Sequence, residues 1–331
     1  MQAGEQSGRP PLPLRAAGAA VSRLINPTGR PSPRRLEEAV SGRVVLVTGA
    51  SYGIGEAAAR KLAAAGATVL LVARSRERLQ ELADEVSRLG PTAYPHPADL
   101  SDPDSVDSLV GDVLTRHGHV DVLVNNAGKS IRRSIDRSYD RFHDFQRTID
   151  INYLGPVRLL LALLPAMRER GSGHIVNVST VGVRVPPAPR WAAYQASKAA
   201  FDVFLRSVAV EAEADGIAAT SIYMALVHTR MSAPTPIFRY LPGLRPDEAA
   251  DLICKAIVER PKTIGPWWAT AAELGSAVAR RPWEVAMSLY SRLTEDTSSA
   301  LASAEGDADS ARRTTGGRSA GDGRGTGDPS A

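Results

Sequence analysis

The stretch Val44-Val45-Leu46-Val47-Thr48-Gly49-Ala50-Ser51-Tyr52-Gly53-Ile54-Gly55 decides how this chain is read. Four consecutive apolar, mostly β-branched residues suit a strand buried on both faces. The glycines that follow permit a tight turn, and a helix is expected from about Gly53 to Ala65. Such a turn lets backbone approach a pyrophosphate while the helix N-terminus directs N–H groups at its charge. Gly49, Ser51, Tyr52, Gly53, Ile54 and Gly55 are therefore candidate dinucleotide contacts. The bland alternative is a strand–helix turn with no ligand; its place after the first buried strand favours the cofactor.

Downstream, the pattern of strand and helix repeats. Strands are expected at Thr68–Val72, near Ala93, and over Val120–Asn125, His174–Val178 and Ala218–Met224. Helices are expected over Arg76–Leu89, Ser105–Arg116, Phe142–Arg168 and Ala192–Ala214. Alternation with near-continuous apolar strands implies an α/β fold, a doubly wound parallel sheet with helices on both faces. Ligands of such sheets sit at the carboxyl ends of the strands.

The second strand ends at Ala73-Arg74. A carboxylate here would accept from the free ribose hydroxyl of NAD, whereas a cation suits the 2′-phosphate of NADP. Ala73 offers no acid and Arg74 offers the cation, so NADP(H) is preferred over NAD(H). The alternative for Arg74 is a solvated surface residue. Tyr194 and Lys198 are four apart in a helical stretch and share a face. An ammonium beside a phenol would lower its pKa and let it exchange a proton with a carbonyl or alcohol oxygen. Hydroxyls end the preceding strand, in Asn177-Val178-Ser179-Thr180, where one could polarise the same oxygen.

TGASYGIG, NNAG (Asn125 to Gly128), Asn152 in INYLG, NVST and YQASK occur in that order between Gly42 and Glu259. Jointly they resemble the short-chain dehydrogenase/reductase family. The resemblance implies one Rossmann-type domain of about seven strands. It implies Tyr194 as general acid/base, Lys198 as the residue that holds the nicotinamide ribose and tunes Tyr194, and Asn152 as the orderer of a relay water. It implies adenine-side contacts from Asp99 and Leu100, and Asn125, Ala127 and Gly128 beside the cofactor. Two departures stand out. The strand ends Ser179-Thr180 rather than Ser-Ser, with Thr180 14 positions before Tyr194, one more than is usual; Thr180 is taken as the catalytic hydroxyl, with Ser179 as the alternative. Met224-Ala225 replaces a Pro-Gly, while Val227-His228-Thr229 keeps the pattern that contacts the nicotinamide amide, through Val227 and Thr229.

The segments NNAGKSIRRS and HTRMSAPT are similar to a bacterial subgroup that includes fatty acyl-CoA reductases. That points to a small-molecule carbonyl or acyl substrate, with lipid metabolism as the setting. The cluster Lys129-Ser130-Ile131-Arg132-Arg133 could meet phosphates of a coenzyme A or carrier-protein handle, or be a solvated loop. Thioester reduction to an aldehyde is one alternative reaction, and a non-catalytic NADP(H)-binding regulatory module is another.

The rest of the 331 residues sets bounds. Lys and Arg number 40 against 36 Asp and Glu, too mild an excess for a nucleic-acid partner. The single cysteine, Cys254, excludes an intramolecular disulfide and fits a reducing cytoplasm. No metal site is expected. Residues 1–40 are rich in Pro, Gly and Arg and read as a flexible arm, with Leu36 to Val40 docking on the domain. The domain is expected over 41–293, and 294–331 as a disordered tail. Within 266–293, Trp267, Trp268, Trp283 and Tyr290 have apolar helical spacing; the segment would cap the cleft, with membrane contact the minority reading. Pro282 is expected to break this helix. The assembly is expected to be a homo-oligomer.

Overall fold

The computed structural model describes residues 21, 22, 25–27, 29–88, 92–294 and 296. Strands β1 (Val44–Thr48), β2 (Thr68–Ala73), β3 (Ala93–Pro97), β4 (Val122–Asn125), β5 (Gly173–Thr180), β6 (Ile217–Met224) and β7 (Thr263–Ile264) form one sheet in the order β3-β2-β1-β4-β5-β6-β7. All pairs are parallel. The order reverses between β1 and β4, so a crevice opens at their carboxyl ends.

Two-residue alternation divides each strand between two cores. Val45, Val47, Val69 and Leu71 face helices α1 (Pro33–Val40), α2 (Gly53–Ala64), α3 (Arg76–Ser87) and α8 (Pro246–Glu259). Val44, Leu46, Leu70 and Val72 face α4 (Pro103–His117), α6 (Gly155–Glu169) and α7 (Ala192–Ala212). Cys254 is buried in the first core, and burial pushes its thiol up to about 12, as an inert packing residue requires.

The helical run expected over Phe142–Arg168 contains a wide turn. It comprises α5 (Phe142–Ile149), a π-helical turn Asp150–Leu154 and α6. By length and composition Phe142–Glu169 could cross a membrane. Here Leu159, Leu160, Leu163 and Met167 are instead packed in the second core.

Three boundaries differ from expectation. Within the residues assigned to a flexible arm, Pro33–Val40 forms a helix, α1, capped by Ser32, which accepts from Arg35 N, and Leu36 and Val40 are buried against the domain, where docking was expected. Ser22 and Asn26 are buried too; Ser22 Oγ donates to Gly243 O at 3.0 Å, and Ile25 O accepts from Trp268 Nε1 at 2.8 Å. Residues 1–20 lie outside the described residues. The break in the C-terminal helix falls at Ala279, between α9 (Trp267–Val278) and α10 (Arg280–Leu293). Pro282 sits in the first turn of α10, where its missing N–H is harmless. Finally, Thr294 and Asp296, assigned to the tail, are fastened to the domain by Arg190; residues 297–331 lie outside the described residues.

Candidate active site

The turn after β1 is shaped by glycine and tied down from β4. Gly49 has φ +67°, and a Cβ on Gly55 would lie 2.3 Å from Gly49 O, so α2 can start this close to the turn only without a side chain there. Thr48 Oγ1 accepts from the Asn126 and Ala127 amides, both at 2.9 Å. Asn126 Nδ2 donates to Thr48 O at 2.9 Å. Asn126 thus holds the turn, a role the sequence reading missed although the doubled asparagine of NNAG was in view. Asn125 lies beneath, buried, and donates from Nδ2 to Asn177 Oδ1 at 3.1 Å; it joins β4 to β5.

A cleft of about 490 Å³ runs along these strand ends. Gly49, Ser51, Tyr52, Arg74, Asp99, Leu100, Ala127 and Gly128 line it, and so do Lys129, Arg147 and Asp150. Gly53, Ile54 and Gly55 form the first turn of α2. Val227 does not line the cleft: it is buried in the first core and bridges to Leu244. The Thr229 methyl stands 3.5 Å from where a Gly53 Cβ would be.

Arg74 is 79% exposed, with Nη1 3.9 Å from Asp99 Oδ2. Asp99 Oδ1 accepts from Ser101 N at 2.9 Å and Ser101 Oγ at 2.6 Å. Burial pushes the Asp99 carboxyl up, but the Ser101 bonds and Arg74 outweigh it and hold it below its ordinary value. Asp102 caps α4, accepting from Asp104 N. Burial holds the Lys129 ammonium below its ordinary pKa, with repulsion from Arg147 and Arg74 adding to the effect.

Deeper in, the four expected catalytic side chains come from three elements. Asn152, on the π-helical turn, is buried. Its Nδ2 donates to Lys129 O and Ser197 Oγ, both at 2.9 Å, and its Oδ1 accepts from Lys129 N at 2.8 Å. Both amide hydrogens are therefore used by protein. Ser197, between Tyr194 and Lys198 on α7, was not singled out by the sequence reading; it donates in turn to Tyr194 O at 2.8 Å.

Thr180 ends β5, and its hydroxyl lies near enough to the Tyr194 phenol to lower its pKa. Ser179 Oγ is buried with no partner among the described residues. Adjacent residues of a strand point to opposite faces, so the geometry gives Tyr194 to Thr180. Lys198 Nζ donates to Val178 O at 3.0 Å.

The electrostatics correct one expectation. Burial raises the Tyr194 phenol to about 12, opposed by the Thr180 hydroxyl, where the Lys198 spacing suggested a lowered one. Burial also draws the Lys198 ammonium down to about 8. Desolvation disfavours both charged forms, and the Lys198 nitrogen is turned to the β5 backbone.

The chain matches the short chain dehydrogenase family model over residues 43–237. It is 47% identical over 268 residues to a fatty acyl-CoA reductase of Acinetobacter baylyi, covering 81% of this chain and 90% of that protein. It is 42% identical over 258 residues to a fatty acyl-CoA reductase of Mycobacterium tuberculosis, covering 78% and 86%. Among solved structures it is similar to a metagenomic short-chain oxidoreductase in complex with NADP, at 32% identity and TM-score 0.59, covering 66% of this chain and 92% of that one. It is likewise similar to L-sorbose reductase of Gluconobacter frateurii complexed with NADPH and L-sorbose, at 27% identity and TM-score 0.61, with 68% and 94% covered. With its seven-stranded parallel sheet and its matched span of well over half its length, the chain belongs to the short-chain dehydrogenase family of oxidoreductases.

Proposed function

We propose that this protein is an NADP(H)-dependent reductase that acts on the carbonyl of an acyl or keto-acyl substrate, with Tyr194 as its general acid/base. The observation that carries the reading is the nearness of the Thr180 hydroxyl to the Tyr194 phenol, one helical turn from buried Lys198. A carbonyl oxygen seated between the two hydroxyls takes the Tyr194 proton as it gains charge, while Thr180 polarises it. Bound NADPH supplies the hydride that goes to the carbonyl carbon. The cradle fits such a group: the glycine turn has no room for side chains, and Arg74 and Lys129 put positive charge on the cleft. Arg74 would meet the 2′-phosphate, and Asp99 and Leu100 the adenine side. Lys198 would hold the nicotinamide ribose.

The phenol at about 12 keeps Tyr194 protonated at neutral pH, the form that donates in reduction. Alcohol oxidation needs the phenolate, so that direction gains as pH rises. With both Asn152 amide hydrogens engaged, a relay water would be ordered by the Asn152 carbonyl groups.

A second reading is favoured by the 47% identity to a fatty acyl-CoA reductase. In it the hydride adduct of an acyl thioester expels the thiol and leaves an aldehyde. We place either reaction in the cytoplasm and in a homo-oligomer; exposed Leu161 on α6 and Val203 and Val210 on α7 offer an apolar surface for self-association. The test is NADPH oxidation with decanal, a β-keto ester and decanoyl-CoA by the protein and Tyr194→Phe. The variant keeps the ring, so NADPH affinity should hold while turnover falls by about 10²–10⁴. Equal turnover by the two proteins refutes the mechanism. NADPH binding without turnover of any of the three substrates supports the regulatory module instead.

A further inference from the structure

The backbone ahead of Tyr194 is held in an unfavourable conformation by a residue far away in sequence. Arg190, in the loop between β5 and α7, has φ +68°, a region that costs a side chain bearing a Cβ and persists only where surroundings enforce it. The C-terminal segment enforces it. Arg190 Nη1 donates to Ser291 O at 3.0 Å and Thr294 Oγ1 at 2.7 Å, and Nη2 donates to Thr294 O. The guanidinium so caps the C-terminus of α10. Its Nε lies 3.3 Å from Asp296 Oδ1, an ion pair outside hydrogen-bond alignment.

The Asp296 side chain is only 4% exposed and grips a second loop. Its Oδ1 accepts from Ser134 N at 2.9 Å, its Oδ2 accepts from Ser134 Oγ, and Arg137 Nε lies 3.4 Å from Oδ2. One carboxylate therefore fastens the loop after β4 to the loop before α7. Those loops also meet directly, with Arg133 N donating to Arg190 O at 2.8 Å. The residue after Arg190 is Trp191. Its ring packs edge-on against Tyr194, with centroids 5.9 Å apart, and stacks on Phe238 at 6.0 Å and 6°.

We propose that Asp296 and Arg190 form a clamp that positions Trp191 and, through it, Tyr194. The proposal rests on Tyr194 being the proton donor. Both are positioning residues: neither lines the cofactor cleft. Loss of the clamp lets Arg190 relax out of the left-handed region, and Trp191 swings away from the phenol. Cofactor binding should hold, because Asp296 grips the loop after β4 at Ser134, downstream of Asn126 to Lys129, the part that meets the glycine turn and the cleft.

The experiment uses the full chain, Asp296→Asn, Asp296→Glu, Arg190→Gly and a protein ending at Leu293, with NADPH and whichever of decanal, the β-keto ester and decanoyl-CoA the parent turns over. Readouts are kcat, KM, NADPH affinity, Tm, and acrylamide quenching of Trp191, taken as the difference from each protein's Trp191→Phe counterpart. Asp296→Asn and the shortened protein should lose about 10- to 100-fold in kcat, the scale of a small misplacement of a reacting group. NADPH affinity and Tm should hold and Trp191 should become more quenchable. Asp296→Glu, which keeps the charge, should recover part of the loss. Arg190→Gly accepts the backbone conformation freely but cannot hold Asp296, and should resemble Asp296→Asn. A kcat within about twofold of the parent with unchanged quenching overturns the clamp, as does a loss of kcat that only tracks falling Tm and NADPH affinity. If the parent turns over none of decanal, the β-keto ester and decanoyl-CoA, the proton-donor reading fails by itself; the quenching then decides whether the clamp exists.

Discussion

Replacement of Thr180 by valine tests which strand-end hydroxyl serves the reaction. Valine keeps the β-branched shape and deletes the hydroxyl that lowers the Tyr194 phenol. Loss of one donor aimed at the developing oxyanion costs about 2.7–4 kcal/mol, or about 10²–10³ in kcat. The same hydroxyl accepts from Gly182 N, at a long 3.3 Å in a partly buried site. Loss of such a bond costs at most about 1 kcal/mol, which at this chain length shifts Tm by only about 2–4 °C. The rate effect therefore dominates. Because the hydroxyl lowers the Tyr194 phenol, its removal should move the alkaline rise of alcohol oxidation to higher pH. Thr180→Ser should keep activity. Ser179→Ala removes a buried hydroxyl without a described partner and should be active and no less stable. The assay is steady-state NADPH oxidation against pH, with thermal melts of each variant. Full activity in Thr180→Val together with an inactive Ser179→Ala would refute the assignment and move the role one residue back.

The remaining predictions concern the cofactor and acid stability. Arg74→Asp should shift preference from NADPH toward NADH, because the aspartate repels a 2′-phosphate and can accept from a free ribose hydroxyl; an unchanged ratio of the two affinities would show that Arg74 does not read the phosphate. Burial pushes the His174 imidazole down to about 3, while its Nε2 pairs with Thr220 Oγ1 at 3.0 Å. The unfolded chain takes up its proton near pH 6.5, so this contribution is intact above 6.5 and drains as pH falls toward 3, by a few kcal/mol in all. Urea midpoints for the protein and His174→Gln should converge as the pH drops through that window, and parallel curves would show that another group governs acid unfolding.

The sheet and the cofactor turn were legible because their signals are local. Val44–Val47 is apolar throughout and followed by glycines, and β-branched residues recur in the later strands other than β3; burial on both faces demands that pattern whatever the neighbours are. Tyr194 and Lys198 were legible because four residues make one helical turn. The role of Asn126 was hidden, since its partners at Thr48 and Gly49 lie on another strand. Ser197 was hidden for the same reason: its place beneath Asn152 arises from packing α7 against the π-helical turn.

By itself the sequence determined the strand–helix alternation, the glycine turn and the family, and it singled out Asn152, Thr180, Tyr194 and Lys198 as candidates. Local sterics and hydrophobic period suffice for these. The tertiary structure alone decided that Thr180 rather than Ser179 meets Tyr194, because that depends on which face of β5 is turned to α7. It also decided the protonation of the site: adjacency of Lys198 suggested a lowered phenol, but burial, which no spacing encodes, raises it to about 12. Composition made residues 33–40 and 294–296 look like arm and tail, yet α1 and Asp296 are held by partners over a hundred positions away. Few apolar residues are needed when one helix face or one carboxylate meets a surface already folded, since the domain supplies the other half of each contact.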